Sequence, residues 1–270
     1  MTARHALVTG AASGLGAAVA AELASHGWRV TGVDFRADAL TATLDSLRER
    51  YAVPAEPVVG DLADPRFPAQ AVDRAWELAP VDALVNAAGI YPAIPFADLT
   101  AETWDRVQHV NVRAAVLTAQ RLAHHAVPAG RTPSVVNIAS GAARRARPGA
   151  AHYATSKAAL VMATKATAVE LGPHGIRVNT VSPGFVDVAS PVNPVTPEYA
   201  AAVSASVLPG RAQPVHVATA VRFLLGDDAA WITGAELPVD GGGSAGTTAL
   251  PQHWPQETSL QQGSTKGELI

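Results

Sequence analysis

The sequence contains no cysteine, which excludes both a disulfide framework and a catalytic thiolate. A large charge of one sign is also lacking, because the formal net charge is only −3, so nothing electrostatic predicts a nucleic-acid or anionic-membrane partner. No uninterrupted apolar run reaches the roughly 18 residues of a membrane span, and the first residues lack the apolar segment and cleavage site of a secretory signal. These absences predict a cytoplasmic protein.

Metal-ligand patterns are missing as well. The nine histidines show no HExxH or comparable spacing, and the adjacent pair His124 and His125 would point apart on a helix. We therefore expect no structural or catalytic metal ion. The cluster Arg144, Arg145 and Arg147 is more typical of a solvated face or a subunit contact than of an anion site.

Apolar residues are plentiful, at 48% of the 270 residues, whereas charged residues make up 16%. Such a chain buries a core and lacks the low hydrophobicity and high net charge of disordered proteins. No linker rich in proline, glycine and serine divides the first 245 residues. The sequence therefore predicts one domain over residues 1–245 and a tail over 246–270, which either frays or docks on a second subunit through Leu250 or Trp254.

Short β-branched runs alternate with longer, alanine-rich stretches of helical spacing. The predicted strands are residues 6–9, 29–33, 57–60, 83–85, 134–138, 177–181 and 236–239. The predicted helices include residues 14–26, 37–51, 66–78, 103–126 and 151–171. This alternation predicts an α/β fold, a doubly wound parallel sheet with helices on both faces.

Residues 182–209 break this rhythm. Five prolines lie there among small and polar residues, at positions 183, 191, 194, 197 and 209. Long irregular segments of compact domains often cover binding sites. We expect a substrate lid over about residues 185–210.

The first predicted strand runs into the first helix through a glycine-rich segment. Gly10 permits a tight turn, Gly14 lets the backbone approach a pyrophosphate, and Gly16 lets the helix pack closely on the sheet. The helix N-terminus supplies unpaired N–H groups and a partial positive charge for the anion. Glycines are common in turns, but their position at a strand–helix junction favours a dinucleotide phosphate loop.

Asp34 ends the second predicted strand, eighteen residues past Gly16. A carboxylate there can accept both hydroxyls of the adenosine ribose and repel a 2′-phosphate. Neither Ser13 nor Phe35 is a cation that could bind that phosphate, although Arg36 is close enough to weaken the distinction. The pattern favours NAD over NADP, and the alternative is an aspartate that only begins the loop before the next helix.

Tyr153 and Lys157 lie four residues apart at the start of the fifth predicted helix, so both side chains share one helical face. A phenol has a pKa near 10, which is poor for acid–base work at neutral pH. A cation at about 4 Å favours the phenolate by roughly 1 kcal/mol in water, but by about 4 kcal/mol at an effective dielectric near 20. Only a partly desolvated pair, helped by a positive nicotinamide, makes a useful base, and this spacing alone occurs often by chance.

Two further polar residues are candidate site residues because of where they lie in the predicted fold. Ser140 follows the predicted strand over 134–138, at the carboxyl edge where open α/β sheets bind ligands. Asn111 lies on the apolar stripe of its helix, where an unpaired amide costs about 1–3 kcal/mol. A buried structural asparagine is the alternative for Asn111.

Taken together, these residues resemble the short-chain dehydrogenase/reductase family, in its compact branch of about 250 residues. The resemblance covers about residues 5–243, and the thirteen-residue step from Ser140 to Tyr153 fits it. The matching motifs are Thr9-Gly10-(x)3-Gly14-x-Gly16, Asp61-Leu62, Asn86-Ala87-Ala88-Gly89, Asn111, Ser140, Tyr153-(x)3-Lys157, Asn179 and Pro183-Gly184. Each motif alone is weak, whereas the ordered set is specific.

The resemblance implies a Rossmann-like sheet of seven strands and a catalytic tetrad of Asn111, Ser140, Tyr153 and Lys157. By the same resemblance, Tyr153 is the general base in oxidation and the acid in reduction, and Ser140 hydrogen-bonds the substrate oxygen. Lys157 would hold the nicotinamide ribose and depress the pKa of Tyr153. Asn111 would anchor a water molecule that links Lys157 to solvent.

The resemblance also implies an NAD cofactor, with Asp61 at the adenine and residues 86–89 lining the nucleotide and bracing the sheet. The expected cofactor residues are Gly10, Ser13, Gly14, Leu15, Gly16, Asp34, Asp61, Leu62, Asn86, Ala87, Gly89, Tyr153, Lys157, Pro183, Gly184 and Val186. In such relatives the Tyr-bearing helix often packs against a partner subunit, so we expect a homo-oligomer, a dimer or a homotetramer. One departure is Val188, where many relatives carry a threonine; that hydroxyl contact is lost or moves to Ser190.

The expected activity is NAD-dependent interconversion of a secondary alcohol and a ketone on a small, uncharged organic substrate. The closest alternative is an NADPH-dependent ketoreductase, which Asp34 disfavours, and a non-catalytic nucleotide-sensing protein on the same fold is a different class. Enoyl reductase relatives space the tyrosine and lysine by six intervening residues rather than three. The expected pocket walls are Gly141, Ala142 and residues 90–96 and 185–208, with polar contacts available from Tyr91, Asn193 and Tyr199.

Overall fold

Seven parallel strands form one sheet in the computed structural model, which describes residues 3–186, 188, 198 and 207–246. The strands are β1 (His5–Thr9), β2 (Arg29–Asp34), β3 (Ala55–Val59), β4 (Ala83–Asn86), β5 (Ser134–Ile138), β6 (Arg177–Pro183) and β7 (Glu236–Val239). Their order across the sheet is β3-β2-β1-β4-β5-β6-β7. The chain therefore winds outward in both directions from β1 and β4, which confirms the predicted doubly wound α/β sheet.

Helices cover both faces of this sheet. They are α1 (Gly14–Ser25), α2 (Ala37–Tyr51), α3 (Phe67–Leu78), α4 (Ala101–Gln108), α5 (Ala114–Ala126), α6 (Ala151–Leu171) and α7 (Pro214–Leu225). One apolar cluster contains side chains of α1, α2 and α7, and a second contains side chains of α3, α5 and α6. Within the described part of the chain, none of the helices combines the length and the apolarity that crossing a membrane requires.

Coverage on both faces explains the composition of the strands. All five residues of β1 and all five of β5 are buried, so neither strand needs a polar face. At the edge of the sheet, β3 pairs only with β2, and Pro57 is tolerated there although it lacks a backbone donor. The strand predicted over 57–60 thus begins two residues earlier, at Ala55, and Gly60 lies outside it.

The single helix predicted over 103–126 differs from the structure in its start and in its continuity. The helical stretch begins at Ala101, and a π-helical turn, His109–Arg113, separates α4 from α5. Such a turn admits one extra residue without ending the helix, so the apolar spacing on either side still reads as one helix. Asn111 lies within this turn and is only 2% exposed. A further helix, α7, is not among those predicted; it begins at Pro214, after the proline-rich segment.

A chain of hydrogen-bonded polar side chains, here called the polar ladder, crosses the core from α5 to β6. Thr118 Oγ1 donates to Asn86 Oδ1 (2.9 Å), and Asn86 Nδ2 donates to Asn137 Oδ1 (2.9 Å). Asn137 Nδ2 donates to Thr164 Oγ1 (2.8 Å), which also accepts from Thr180 Oγ1 (2.8 Å). All five side chains are buried. Because they pair with one another, they fix α5, β4, β5, α6 and β6 relative to one another without leaving buried polar groups unsatisfied.

Gly16 allows α1 to pack directly against the turn after β1. A Cβ at Gly16 would lie 2.1 Å from the carbonyl oxygen of Gly10, a backbone atom that cannot easily move aside. We predict that Gly16→Ala lowers the free energy of unfolding by about 3 kcal/mol, the cost of overpacking a tight site. Chemical denaturation measures this loss.

Gly172→Ala is the matched control for this substitution. Nothing lies within 4 Å of a Cβ at Gly172, and its φ of −54° suits alanine. Its unfolding free energy should therefore change by less than about 1 kcal/mol. Equal stability of the two variants would contradict the close packing of α1.

Candidate active site

The carboxyl ends of β1, β4, β5 and β6 meet at one edge of the sheet. The strand order reverses between β1 and β4, whose register places Thr9 opposite Asn86. In open α/β sheets the crevice at such a reversal is where ligands bind. Four of the predicted site residues end these strands or follow them within two residues, so the fold brings them to this edge: Gly10, Asn86, Ser140 and Pro183.

The turn from β1 into α1 leaves room for an anionic group. Gly14 begins the helix with φ +58°, and among the described residues a Cβ there would meet only Val188, at 4.0 Å. Ser13 precedes the helix in an extended conformation, and its side chain caps no N–H group of the first turn. A Cβ at Gly10 would lie 2.8 Å from Ala88 Cα, so the turn also packs against the segment after β4. Free N–H donors at the positive end of a helix fit the pyrophosphate of a dinucleotide.

Asp34 ends β2 with a carboxylate that accepts four hydrogen bonds. Oδ1 accepts from the backbone N and the Nε of Arg36 (both 3.1 Å), and Oδ2 accepts from Arg36 Nη2 and Ala12 N (both 3.2 Å). The same Nη2 donates to Ser13 Oγ (2.8 Å). This position agrees with the expectation that Arg36 lies close enough to Asp34 to weaken the preference for NAD over NADP. Arg36 reaches that position because its long side chain folds back over Asp34.

Other expected cofactor residues are already engaged in the protein. Asp61 Oδ2 accepts from Arg106 (3.1 Å) in an exposed ion pair. Leu62 and Val186 have side chains that are 7% and 8% exposed and belong to the two apolar clusters. Leu15 packs against the same cluster as Val186. These three apolar residues can therefore meet a nucleotide mainly through their backbone atoms.

The segment after β4 is hydrogen-bonded to the end of β1. The amides of Ala87 and Ala88 donate to Thr9 Oγ1 (3.1 and 3.2 Å). Asn86 uses its amide in the polar ladder and is 5% exposed. Asn86 therefore braces the sheet, as the family resemblance implies, and the residues after it are held beside the glycine turn.

Tyr153 and Lys157 lie in the first two turns of α6. Lys157 is buried, and its Nζ donates to the carbonyl oxygen of Ile138 at the end of β5 (2.7 Å). The same Nζ lies 5.8 Å from the centroid of the Tyr153 ring. Ser140, two residues past Ile138, forms a side-chain hydrogen bond with Tyr153 and accepts from the amide of Ala142 (3.2 Å). The structure thus brings serine, tyrosine and lysine together.

Burial opposes the charged form of both ionisable groups. Desolvation raises the pKa of Tyr153, and the bond from Ser140 acts in the opposite direction. Tyr91 raises the pKa of Tyr153 further, whereas the cation of Arg147 lowers it. Desolvation also lowers the pKa of Lys157 to about 8. The expected depression of the Tyr153 pKa is therefore absent in this arrangement, because burial outweighs the favourable contacts.

Asn111, in the π-helical turn, lies near the ammonium group of Lys157. Its Oδ1 accepts from the amide of Ile90 (2.9 Å), and its Nδ2 donates to the carbonyl oxygen of Ile90 (3.0 Å) and to Ser156 Oγ (3.0 Å). A Cβ at Gly89 would lie 3.5 Å from Asn111 Oδ1 and 3.4 Å from Lys157 Nζ. Asn111 is therefore both a satisfied buried amide and a neighbour of the buried ammonium.

Comparisons with known proteins agree on one family. The sequence family described as Enoyl-(Acyl carrier protein) reductase matches residues 10–244. The chain is 40% identical over 243 residues to D-erythrulose reductase of Gallus gallus, covering 88% of this chain and 95% of that protein. It is 37% identical over 246 residues to L-xylulose reductase of Homo sapiens, covering 90% and 97%. The chain belongs to the short-chain dehydrogenase/reductase family.

A solved structure extends this similarity to the fold. A short chain dehydrogenase from Burkholderia cenocepacia J2315, in complex with NADP, matches with a TM-score of 0.82 and 35% identity, over 89% of this chain and 98% of that one. Membership in the short-chain dehydrogenase/reductase family makes this chain an NAD(P)-dependent oxidoreductase acting on CH–OH groups. The predicted family, fold and reaction class are thus confirmed. The matched family is described by an enoyl reductase, but here only three residues separate Tyr153 from Lys157.

Much of the predicted lid lies outside the described residues. Val188, which stands where many family members carry threonine, is described, and its side chain packs against the apolar cluster of α1 and α7. The predicted candidates that lie outside are Ser190, Asn193, Tyr199, Leu250 and Trp254. Within the described ranges, no group of three or more histidine, aspartate or glutamate side chains is arranged to hold a metal ion.

The sequence predicts no role in the site for three residues that lie near Tyr153. His152 is fully buried, and its Nε2 lies 2.9 Å from the carbonyl oxygen of Pro92. Ser156 contacts Asn111, and Arg147, partly buried unlike Arg144 and Arg145, acts electrostatically on the phenol. His152 and Ser156 directly precede the tyrosine and the lysine, a signal that the sequence does contain. The arginine cluster, expected to be a solvated face or a subunit contact, thus brings one cation towards Tyr153.

The burial of Lys157 has a measurable cost. Desolvation lowers its pKa from 10.5 to about 8, and each pKa unit corresponds to about 1.4 kcal/mol. Below pH 8 the charged side chain therefore destabilises the folded state by about 3 kcal/mol. Between about pH 8 and 10.5 the unfolded chain keeps a proton that the folded chain has lost, so the unfolding free energy rises with pH.

We predict that Lys157→Met is more stable than the unaltered protein by about 2 kcal/mol at pH 7, after loss of the bond to Ile138. The gap should shrink as the pH approaches 10. Urea denaturation at several pH values measures it, with Lys165→Met, an exposed position on α6, as the control. A Lys157→Met protein less stable than the unaltered one at pH 7 would contradict the cost of burial.

Proposed function

We propose that Tyr153 is the proton carrier, that Ser140 holds the reacting oxygen, and that Lys157 and Asn111 support them. One observation carries the proposal: Tyr153 and Lys157 meet on one face of α6, with Ser140 at the end of β5. This convergence lies at the edge where the strand order reverses, beside the glycine turn. A non-catalytic nucleotide-sensing protein on this fold needs no such convergence.

The residues present fit a dinucleotide. The glycine turn and the N-terminus of α1 would hold the pyrophosphate, and Asp34 with Arg36 would meet the adenosine ribose. Lys157 has three donor protons and uses one on Ile138, which leaves two for the hydroxyls of the nicotinamide ribose. When bound, the nicotinamide supplies or accepts a hydride.

The protein side of the reaction is a proton transfer. In reduction, Tyr153 donates its proton to the carbonyl oxygen while the Ser140 hydroxyl donates a hydrogen bond to the same atom. Burial keeps Tyr153 neutral, which is the form this direction requires. In oxidation, Tyr153 must first lose that proton and then accept the proton of the alcohol. The cations of Lys157 and Arg147 lower the energy of the phenolate in this direction.

We propose that NAD(H) is preferred and that NADP(H) is also accepted. Asp34 supports the first part, because a carboxylate at the end of β2 can accept the ribose hydroxyls. Arg36 supports the second part, because its guanidinium lies between Asp34 and Ser13, where a 2′-phosphate would approach. An arginine that moves from the carboxylate to the phosphate would exchange one anionic partner for another.

Arg36→Ala should therefore change the KM for NADP(H) and the KM for NAD(H) by different factors. We expect the KM for NADP(H) to rise about tenfold, through loss of a charge-assisted hydrogen bond, and the KM for NAD(H) to stay within about twofold. Steady-state kinetics with both nucleotides measures the effect. Arg50→Ala, at an exposed position of α2, is the control. A parallel rise for both nucleotides would show that Arg36 acts only by positioning Asp34.

We further propose that the substrate is a small, uncharged ketone or secondary alcohol. The residues after Ser140 are Gly141 and Ala142, which leave space beside the reacting oxygen. The relatives named above support this choice, since L-xylulose and D-erythrulose are uncharged ketoses with a hydroxyl-bearing carbon on each side of the carbonyl. An NADPH-dependent ketoreductase remains the alternative with the same residues.

We also propose a homo-oligomer, a dimer or a homotetramer. On α6, Met162 and Val169 are 62% and 78% exposed, and Val116 on α5 is 38% exposed. Large exposed apolar side chains on adjacent helices are typical of association surfaces. Packing of α5 and α6 against the same helices of a second copy would cover them. A cytoplasmic location stays a prediction from the sequence.

Tyr153→Phe tests the proposed role directly. The substitution keeps the ring and removes the proton, so we expect kcat to fall by about 10²- to 10⁴-fold while nucleotide binding is retained. Turnover of small ketones with NADH and with NADPH measures the first effect, and titration calorimetry measures the second. Tyr51→Phe, at the end of α2, is the control. Normal turnover by Tyr153→Phe would refute the mechanism.

A further inference from the structure

Tyr91 lies in the segment after β4, beside the proposed proton carrier. Its ring centroid is 5.5 Å from that of Tyr153, and the two ring planes are inclined by 50°. Tyr91 is partly exposed, so its phenol borders the space that Tyr153 shares with a substrate. The phenol of Tyr91 also acts electrostatically on Tyr153, in the direction that raises the pKa of Tyr153.

The backbone on each side of Tyr91 is held in place. Ile90 exchanges two hydrogen bonds with the buried amide of Asn111, through its N–H (2.9 Å) and its carbonyl oxygen (3.0 Å). The carbonyl oxygen of Pro92 lies 2.9 Å from Nε2 of the fully buried His152, and because a carbonyl only accepts, that nitrogen donates. A side chain between two anchored residues is preorganised for recognition.

The hydroxyl of Tyr91 is available for a ligand. Within the described part of the chain, Tyr91 forms no hydrogen bond through this group. A phenol hydroxyl both donates and accepts, so it can pair with a hydroxyl or with a carbonyl oxygen. Ligand sites are mostly apolar, with a few fixed polar groups that decide orientation and specificity. Tyr91 meets this description next to the reacting group.

We propose that the Tyr91 hydroxyl hydrogen-bonds an oxygen on the carbon next to the reacting carbonyl, which makes α-hydroxy ketones and the matching vicinal diols the preferred substrates. The inference rests on the proposed function, because Ser140 and Tyr153 already take the reacting oxygen. Because the ring of Tyr91 contacts that of Tyr153, the Tyr91 hydroxyl would hydrogen-bond a second substrate oxygen that lies close to the reacting oxygen. The adjacent carbon carries the nearest such oxygen.

A pair of substrates that differ by one hydroxyl tests this proposal. We would compare kcat/KM for 1-hydroxy-2-butanone and for 2-butanone, in the unaltered protein and in Tyr91→Phe. A site built to hydrogen-bond a substrate hydroxyl discriminates strongly against the analogue that lacks it. We expect the unaltered protein to prefer the hydroxy ketone at least about tenfold, and Tyr91→Phe to reduce that ratio about tenfold. Tyr51→Phe, remote from the site, should leave the ratio unchanged.

The possible outcomes separate the two proposals. A loss confined mainly to the hydroxy ketone supports recognition by Tyr91. Equal losses for both ketones would show that Tyr91 acts on Tyr153 alone, and an unchanged ratio would show that Tyr91 does not meet the second oxygen; each overturns the inference and leaves the proposed function intact. Turnover of neither ketone by the unaltered protein, with either nucleotide, would remove the proposed function and this inference with it.

Discussion

The burial of one ammonium group, that of Lys157, is the constraint on which the rest of the site depends. Among the described residues its hydrogen-bond partner is the carbonyl oxygen of Ile138, and no carboxylate contacts it. A cation withdrawn from water without an anionic partner is costly, and the lowered pKa of Lys157 reflects that cost. The proposed mechanism needs this ammonium because a partly desolvated phenol such as Tyr153 ionises only beside positive charge. In the proposed mechanism, the proton transfer at Tyr153 therefore comes with a loss of folding stability at Lys157.

The position of this ammonium follows from how α6 is attached to the sheet. Two consecutive residues of β5 hold the helix: Asn137 donates its side-chain amide to Thr164, and Ile138 accepts from Lys157. Thr164 lies seven residues after Lys157, which is about two turns along one helical face. Because the polar ladder continues from Asn137 to Asn86, β4 and the helix of the proposed proton carrier share one hydrogen-bonded chain. The position of the proposed proton carrier relative to the carboxyl end of β4 is therefore set in the core.

The sequence predicts the parts of the site whose geometry is local. Tyr153 and Lys157 share a face because four residues make about one helical turn, and a serine after a buried strand falls at the sheet edge. Arg36 could not be placed in this way, because its path back over Asp34 depends on side-chain torsions. The contact between Tyr91 and Tyr153 joins residues far apart in the chain, through a loop whose course no periodicity reveals. The π-helical turn likewise keeps apolar spacing intact on both sides, so the pattern conceals it.

The same burial shifts the two ionisable partners in opposite directions, each towards its neutral form. The pKa of Tyr153 is raised, and that of Lys157 is lowered to about 8. The phenol therefore still holds its proton at the pH where the ammonium begins to lose its own. Such a pair is prepared to act as an acid, which is what reduction of a carbonyl needs. Oxidation needs the phenolate, and Arg147 supplies only part of the positive charge that this requires. The protonated phenol is the form that the proposed reduction uses, and the proposed oxidation depends further on the charge that a bound cofactor would bring.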